Sequence, residues 1–250
     1  MYQEERLMKI LEYLNEHNNM SIHTICEMFS VSRDTARRDI LKLTEQGTAI
    51  RTHGGISLPI LRSTMQAYRE RLAFYSEEKK NIAQKALQLI NEKEHYFFDA
   101  STTIRFLAQY LNKSVTVFTH SLDNIEILSE QKDVFVHSIG GCLNKKNRFF
   151  YKPNCIDYID GIMFDAAFLG ATAITEDGIY YDDEEDVFIK KQVIKQSAKV
   201  IVLADYKKFN SSSYYKGITW DQIDIIVTDH IPNALFLDII EAQNIELILA

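Results

Sequence analysis

Apolar residues fall at helical spacing three times within the first sixty positions. Leu7, Ile10, Leu11 and Leu14 mark one face of a first helix. Ile22, Ile25, Cys26 and Phe29 repeat the spacing, and Ser21 stands where a hydroxyl caps a helix start. Ala36, Ile40 and Leu43 form a third stripe, with Ser32 as its cap. Only Ser30-Val31-Ser32 joins the second and third patterns, a link short enough for a helix-turn-helix. Gly47 is placed to end the third helix. The β-prone run Ile50-Arg51-Thr52-His53-Gly54-Gly55-Ile56-Ser57 then predicts a two-stranded wing broken at its glycine pair. Three helices and a wing make a small winged helix-turn-helix.

Past Pro59 the period is lost over residues 59–76, which read as a linker holding a short helix around Tyr68, Arg69, Glu70, Arg71 and Leu72. Residues 77–90 are amphipathic, with Ile82, Ala86, Leu89 and Ile90 on one side. From Tyr96 onward short β-prone runs (96–99, 115–119, 134–139, 166–170, 200–204, 223–228 and 245–249) are separated by helical stretches at 103–111, 122–130, 184–197 and 234–243. Such alternation predicts an α/β domain with a mostly parallel sheet, whose ligands bind outside the carboxyl ends of the strands. The expected division is a reading domain over 1–58, a linker over 59–76 and an α/β domain over 77–250.

Composition changes this picture little. Of 250 residues 46% are hydrophobic, enough for a core without metal or disulfide staples, and nine Gly and three Pro argue against long disorder. No apolar run approaches the ~20 residues of a membrane span, and Glu4, Glu5 and Glu12 do not suit a signal peptide, so a cytoplasmic protein is expected. Cys26, Cys142 and Cys155 are odd in number and lack CxxC spacing, as reduced thiols do. No histidine pair has metal-ligand spacing, so neither metal nor cofactor is expected.

The net charge of −7 alone opposes nucleic-acid binding. Salt screens distant charges, so local placement matters more. Across residues 33–51 five basic side chains (Arg33, Arg37, Arg38, Lys42, Arg51) face three acidic ones (Asp34, Asp39, Glu45). Arg33 and Arg37 lie one turn apart beside Thr35, where a recognition helix meets base edges and phosphates. A solvated helix face is the competing reading. His53, at the wing tip, either touches DNA or packs the wing. In the larger domain, Asp99-Ala100-Ser101-Thr102-Thr103 follows a strand and opens a helix. Its hydroxyls and N–H groups suit a phosphate, and Asp99 suits sugar hydroxyls, although Ser101 or Thr102 serves equally as a plain cap. His120 and Ser121, Gly140-Gly141, and Lys207 with Lys208 mark further strand ends; a tight turn and solvated lysines are the alternatives for the last two.

The ordered run Val31-Ser32-Arg33-Asp34-Thr35-Ala36-Arg37-Arg38-Asp39-Ile40, with Leu43, Gly47 and Arg51-Thr52-His53-Gly54-Gly55, resembles the N-terminal domain of DeoR-family transcription regulators. Asp99 with Ser101–Thr103, His120-Ser121, Gly140-Gly141, Phe168-Leu169-Gly170, Glu185 to Lys190, Leu203-Ala204-Asp205 with Lys208-Phe209, and Thr228-Asp229 resemble that family's C-terminal sensing domain. The resemblance implies a fold like sugar-phosphate isomerases, put to sensing. It implies DNA contacts from Ser32, Arg33, Thr35, Arg37, Arg38, Arg51 and His53. It implies an effector pocket of Asp99, Ser101, Thr102, Thr103, His120, Gly140, Gly141 and Lys208. Three positions depart from the family pattern: Ser101 stands for a usual Gly, His120 for a usual Asn, and no Gly precedes Pro153.

The expected function is therefore a sequence-specific, double-stranded operator DNA-binding regulator. It represses a carbohydrate operon, answers to a phosphorylated sugar and works as a homo-oligomer, because one winged module reads few base pairs. Two alternatives stand beside it. One is an isomerase-like enzyme using Asp99, Glu185 and Lys190 for proton abstraction. The other is a DNA-binding protein whose second domain only oligomerises.

Overall fold

The computed structural model describes residues 2–17, 19–46, 48–57, 76–153 and 155–250. Gly47 and the expected linker helix around 68–72 lie outside them. The N-terminal part runs α1 (Gln3–His17), β1 (Asn19–Ser21), α2 (Ile22–Phe29), α3 (Arg33–Glu45), β2 (Ile50–Arg51) and β3 (Gly55–Ser57). The wing has three strands in order β1-β3-β2, one more than the sequence pattern predicts. The addition is Asn19–Ser21, which is too short to carry a period. Leu7, Ile10, Leu14, Ile25, Ala36, Ile40 and Leu43 share one core with Ile56 of the wing. Ser30 closes α2 in the left-handed region (φ 51), and Ser21 and Ser32 cap α2 and α3 through Thr24 N–H and Thr35 N–H.

One charged pair is built into this core. Arg6 of α1 donates to both carboxylate oxygens of Asp39 on α3, at 2.5 and 3.0 Å, and Asp39 is fully buried. The pair fixes the axial position of α3, and hence where its outward face points.

The larger part opens with α4 (Ser76–Ala86). Its centre is a seven-stranded sheet of β4 (His95–Phe98), β5 (Val115–Thr119), β6 (Val134–Ser138), β9 (Ala166–Gly170), β12 (Val200–Leu203), β14 (Ile225–Thr228) and β15 (Glu246–Leu249). The order is β15-β14-β12-β9-β4-β5-β6, with every neighbouring pair parallel. The five inner strands are buried on both faces and read as largely apolar runs, while the edge strands β6 and β15 are partly exposed. Alternate side chains feed two cores: Phe97, Ala167, Leu169 and Val202 on one side, Tyr96, Phe98, Phe168 and Leu203 on the other. Helices α5 (Thr102–Tyr110), α6 (Leu122–Ser129), α8 (Glu184–Lys195) and α9 (Ala234–Ala242) connect or cover the strands, with the short α7 (Cys155–Ile159) between. A hairpin of β7 (Cys142–Asn144) and β8 (Phe149–Tyr151), and a small sheet of β10 (Ala173–Thr175), β11 (Gly178–Tyr181) and β13 (Tyr215–Ile218), complete it.

From β4 the chain winds to β5 and β6 in one direction, and from β9 to β12, β14 and β15 in the other. The reversal falls between β4 and β9, and a crevice opens beyond the carboxyl ends of adjacent strands at such a point. No helix of the described residues is long and apolar enough to cross a membrane.

Replacing Arg6 by Met leaves the Asp39 carboxylate buried with Gln3 as its one remaining side-chain donor among the described residues. The expected loss is about 3 kcal/mol of unfolding free energy, read by urea denaturation; a loss below ~1 kcal/mol shows that the pair does not fix α3.

Candidate nucleic-acid interface and ligand pocket

The Ser32 cap starts α3 with Ala36, Ile40 and Leu43 turned inward, which leaves Arg33, Arg37 and Arg38 exposed. Arg37, Arg38 and Leu41 of α3 face Arg51, His53 and Gly54-Gly55 of the wing across a concave groove of about 330 Å³. Arg37 makes one loose contact, 3.7 Å to Asp34. Arg38 and Arg51 have no acidic partner among the described residues. Asp39 was expected to dilute this face; it is buried and committed to Arg6 instead. Ser32 and Thr35 sit at the start of the helix, their hydroxyls 3.0 Å apart. Arg33 lies outside the groove and pairs with Glu176 of the larger domain at 3.3 Å. His53 Nε2 is 3.2 Å from Asp177 Oδ2, and its ring stacks on Tyr180 at 4.5 Å. The glycine pair at the wing tip splits in role. A Cβ on Gly55 would meet Met20 O at 2.1 Å, so that glycine serves packing against β1, while a Cβ on Gly54 would make only ordinary contact with Thr175 Cγ2, at 3.9 Å.

The second cleft, of about 360 Å³, sits at the β4/β9 reversal. Its wall runs through Asp99 to Thr103, Gly170 to Thr172, Tyr181 to Asp183, Lys207, Lys208 and Ser211-Ser212. Ser101 caps α5, accepting from Thr103 N–H, so the helix opens at the cleft wall and its dipole favours an anion there. Gly170 is required for this approach, since its Cβ would come 2.3 Å from Ser101 Oγ. Asp99 is locked by donors from Ala100 N–H at 2.7 Å and Gly170 N–H at 2.9 Å.

Asp186 and Lys190, also in the lining, form a buried charge cluster with Asp99 and His120. Lys190 Nζ reaches Asp99 at 2.7 Å and Asp186 at 2.5 Å, and lies over the Tyr181 ring. His120 Nε2 donates to Asp186 at 2.9 Å, while its Nδ1 is buried without a partner. Burial pushes the Asp186 carboxyl up, but the Lys190 charge and the His120 hydrogen bond outweigh it and hold it well below the usual carboxylate range. Burial would lower the Lys190 ammonium; Asp186 and Asp99 reverse that and raise it. Asp99, His120 and Asp186 come close enough together to hold a cation. The Lys190 ammonium already occupies the position between the two carboxylates, so the charge needed there is supplied by the chain.

Two family models match: the DeoR-like helix-turn-helix domain over residues 6–60 and the DeoR C-terminal sensor domain over 74–230. The chain belongs to the DeoR family. It is a DNA-binding transcriptional regulator and not an enzyme. Among its relatives, the transcriptional repressor GlcR of Bacillus subtilis is 40% identical, covering 99% of this chain and 96% of that one. The glycerol-3-phosphate regulon repressor of Escherichia coli is 28% identical, covering 99% of each. Ribose 5-phosphate isomerase A from Neisseria gonorrhoeae aligns with 52% of this chain and 52% of its own at 19% identity, with a TM-score of 0.40.

Within this DeoR-family sensor domain the expected pocket residues separate into three groups. Asp99, Ser101, Thr102, Thr103 and Lys208 line the cleft. His120 does not: it is fully buried behind the wall and acts on Asp186. Gly140 and Gly141 lie outside the lining altogether. Gly141 has φ +139, and a Cβ there would strike Tyr151 O, so it serves the β7–β8 hairpin. Glu185 is exposed on α8, and Asp186, one residue on, makes the i,i+4 contact with Lys190. Asp186, Asp183, Tyr181 and the Ser211-Ser212 pair are site residues that the sequence reading passed over. The Asp186–Lys190 spacing was the available signal.

The Asp186 carboxyl is depressed in the fold, so its pairing stabilises the protein above its ordinary value of 3.8 and that contribution fades as pH falls toward 2. Asp186→Asn is expected to cost about 3 kcal/mol at neutral pH and to flatten the loss of stability over that acid interval. Urea unfolding at a series of pH values measures both, and an unchanged acid slope rejects the assignment.

Proposed function

We propose that this regulator represses a carbohydrate operon by binding double-stranded operator DNA through α3 and the wing, and that a phosphorylated sugar in the β4/β9 cleft controls the binding. The observation that carries the reading is the pairing, in one chain, of an arginine-lined groove with a polar strand-end cleft. In the groove, Arg37, Arg38 and Arg51 are exposed and have, among the described residues, at most one loose acidic contact. In the cleft, the opening turn of α5 and the Lys207-Lys208 pair suit a phosphate, while Asp99 and Asp183 suit sugar hydroxyls. Its volume falls in the range of small-molecule sites. Ser32, Arg33, Thr35 and His53 complete the DNA contacts.

The division of labour follows as 1–58 for reading, 59–76 for connection and 77–250 for sensing. One wing reads few base pairs, so the working form is a homo-oligomer on repeated half-sites, acting in the cytoplasm where its DNA lies. That two relatives are named as repressors, one of a glycerol-3-phosphate regulon, supports both the sign of regulation and the chemical class of the signal.

Fluorescence anisotropy on the gene's own upstream DNA tests the first half. Arg37→Ala is expected to weaken specific binding about tenfold or more, with steep salt dependence in the wild type. Equal affinity for upstream and random duplex rejects it. Calorimetry against a hexose 6-phosphate, ribose 5-phosphate, glycerol 3-phosphate and the unphosphorylated sugars tests the second. Saturable binding of a phosphorylated member alone is expected; no binding of any leaves the second domain as an oligomerising module.

A further inference from the structure

The cleft is not made by the sensor domain alone. His17, Asn19, Thr52 and Ser57 of the N-terminal domain form part of its lining. Thr52 is the informative one. It is only 7% exposed, and its hydroxyl has no hydrogen-bond partner among the described residues. On the opposite domain Ser212 Oγ, also in the lining, is likewise buried and unpartnered. A buried hydroxyl left without a partner is unfavourable, and one from each side of the same cleft points to a polar molecule between them.

The residue after Thr52 is His53, which is held on Asp177 and Tyr180 as described. Arg33 is held on Glu176. Asn210 of the sensor domain also donates to Thr24 Oγ1 of α2 at 3.2 Å. The acidic turn between β10 and β11 is itself fixed. Trp220 Nε1 donates to the carbonyls of Thr175 and Glu176 at 3.2 and 3.0 Å. Thr175 Oγ1 and Tyr180 Oη donate to Asp177 at 2.6 and 2.8 Å, and Lys216 lies 3.4 Å away. Burial pushes the Asp177 carboxyl up, but these donors and the nearby Lys216 and His53 bring it down to about 2, so it stays charged in neutral solution.

We infer that a phosphorylated ligand is held jointly by both domains, with the Thr52 hydroxyl as a ligand contact from the wing, in a closed arrangement that keeps Arg33 and His53 on the Glu176-Asp177 turn and away from DNA. This rests on the reading of the cleft as a sugar-phosphate site and adds the coupling. Arg33 and His53 cannot serve a carboxylate and a DNA phosphate at once. A ligand that touches Thr52 gains that contact only when the domains are closed. Its differential affinity therefore draws the population toward the form with the two DNA-reading groups occupied.

The test uses the full chain. The panel of hexose 6-phosphate, ribose 5-phosphate and glycerol 3-phosphate is titrated without DNA into wild type, Thr52→Val and Thr52→Ser. The valine variant is expected to bind the tightest panel member at least fivefold more weakly, and the serine variant within twofold of wild type; equal binding by Thr52→Val overturns the inference while leaving the proposed function intact. A Thr52→Val chain that fails to fold is replaced by the serine variant and the latch variant. The latch variant, Glu176→Gln with Asp177→Asn, is expected to bind operator several-fold more tightly without ligand and the sugar phosphate several-fold more weakly. Removing two negative charges without a latch would strengthen both anions, so a rise in both affinities, or no change in operator affinity, overturns it. If no panel member binds wild type, the ligand reading of the cleft falls and this inference falls with it.

Discussion

A lysine ammonium held between two buried carboxylates sets the geometry of the sensing end of this protein. Lys190 sits on α8, Asp186 one turn earlier on the same helix, and Asp99 at the tip of β4. The arrangement therefore ties a covering helix to the strand at which the sheet reverses direction. Desolvating such charges costs several kcal/mol per ion, and the cost is offset because each carboxylate has a further donor besides Lys190. Asp99 takes Ala100 N–H and Gly170 N–H; Asp186 takes His120. The cluster leaves the cleft wall with a fixed Asp99 and a fixed start to α5. A ligand then meets a surface that has little left to reorganise, and less of its binding free energy goes into ordering the site.

The same logic explains why much of this molecule can be read from its sequence and why the rest cannot. The five inner strands are buried on both faces, so they appear as largely apolar runs, and all seven strands of the sheet fall where the β-prone runs lie. Ser21 and Ser32 are legible because a capping hydroxyl acts within three residues. The β7–β8 hairpin and the β10–β11–β13 sheet are not, because these short strands stand outside the alternation of apolar runs and helical stretches that marks the main sheet. Asp39 reads as a surface charge in sequence, since its partner Arg6 is 33 residues away. Glu185 and Asp186 are both acidic; the i,i+4 spacing marks the second as the partner of Lys190, but only the rotation of α8 against the sheet decides that the pair is buried beside Asp99.

Glycines show the same limit. Gly140-Gly141 after an apolar strand suits a ligand turn as well as a hairpin entry, and the neighbour that decides is Tyr151, ten residues on. Gly170 gave no signal by itself, yet it is the residue that lets Ser101 close on β9. A sequence pattern locates strand ends at the switch point, but which backbone approaches which is a property of packing across the sheet.

Charge placement brings the two ends of the chain together. Residues 1–57 carry seven Lys and Arg against eight Asp and Glu, so the reading domain has no net positive charge to draw it to DNA. Its affinity has to come from local arrangement: Asp39 neutralised by Arg6, and three arginines on one groove. A weak long-range field has a consequence. With little general attraction to phosphate, the acidic turn that engages Arg33 and His53 would compete with DNA on comparable terms under the proposed mechanism, and a small differential in ligand affinity would move the balance. A strongly basic domain would bind duplex whatever the cleft held. In the mechanism we propose, the near-neutral reading domain is what would allow a ligand of ordinary affinity to govern it, and the acidic total of the chain, which at first sight argues against DNA binding, would be part of the means by which binding is made conditional.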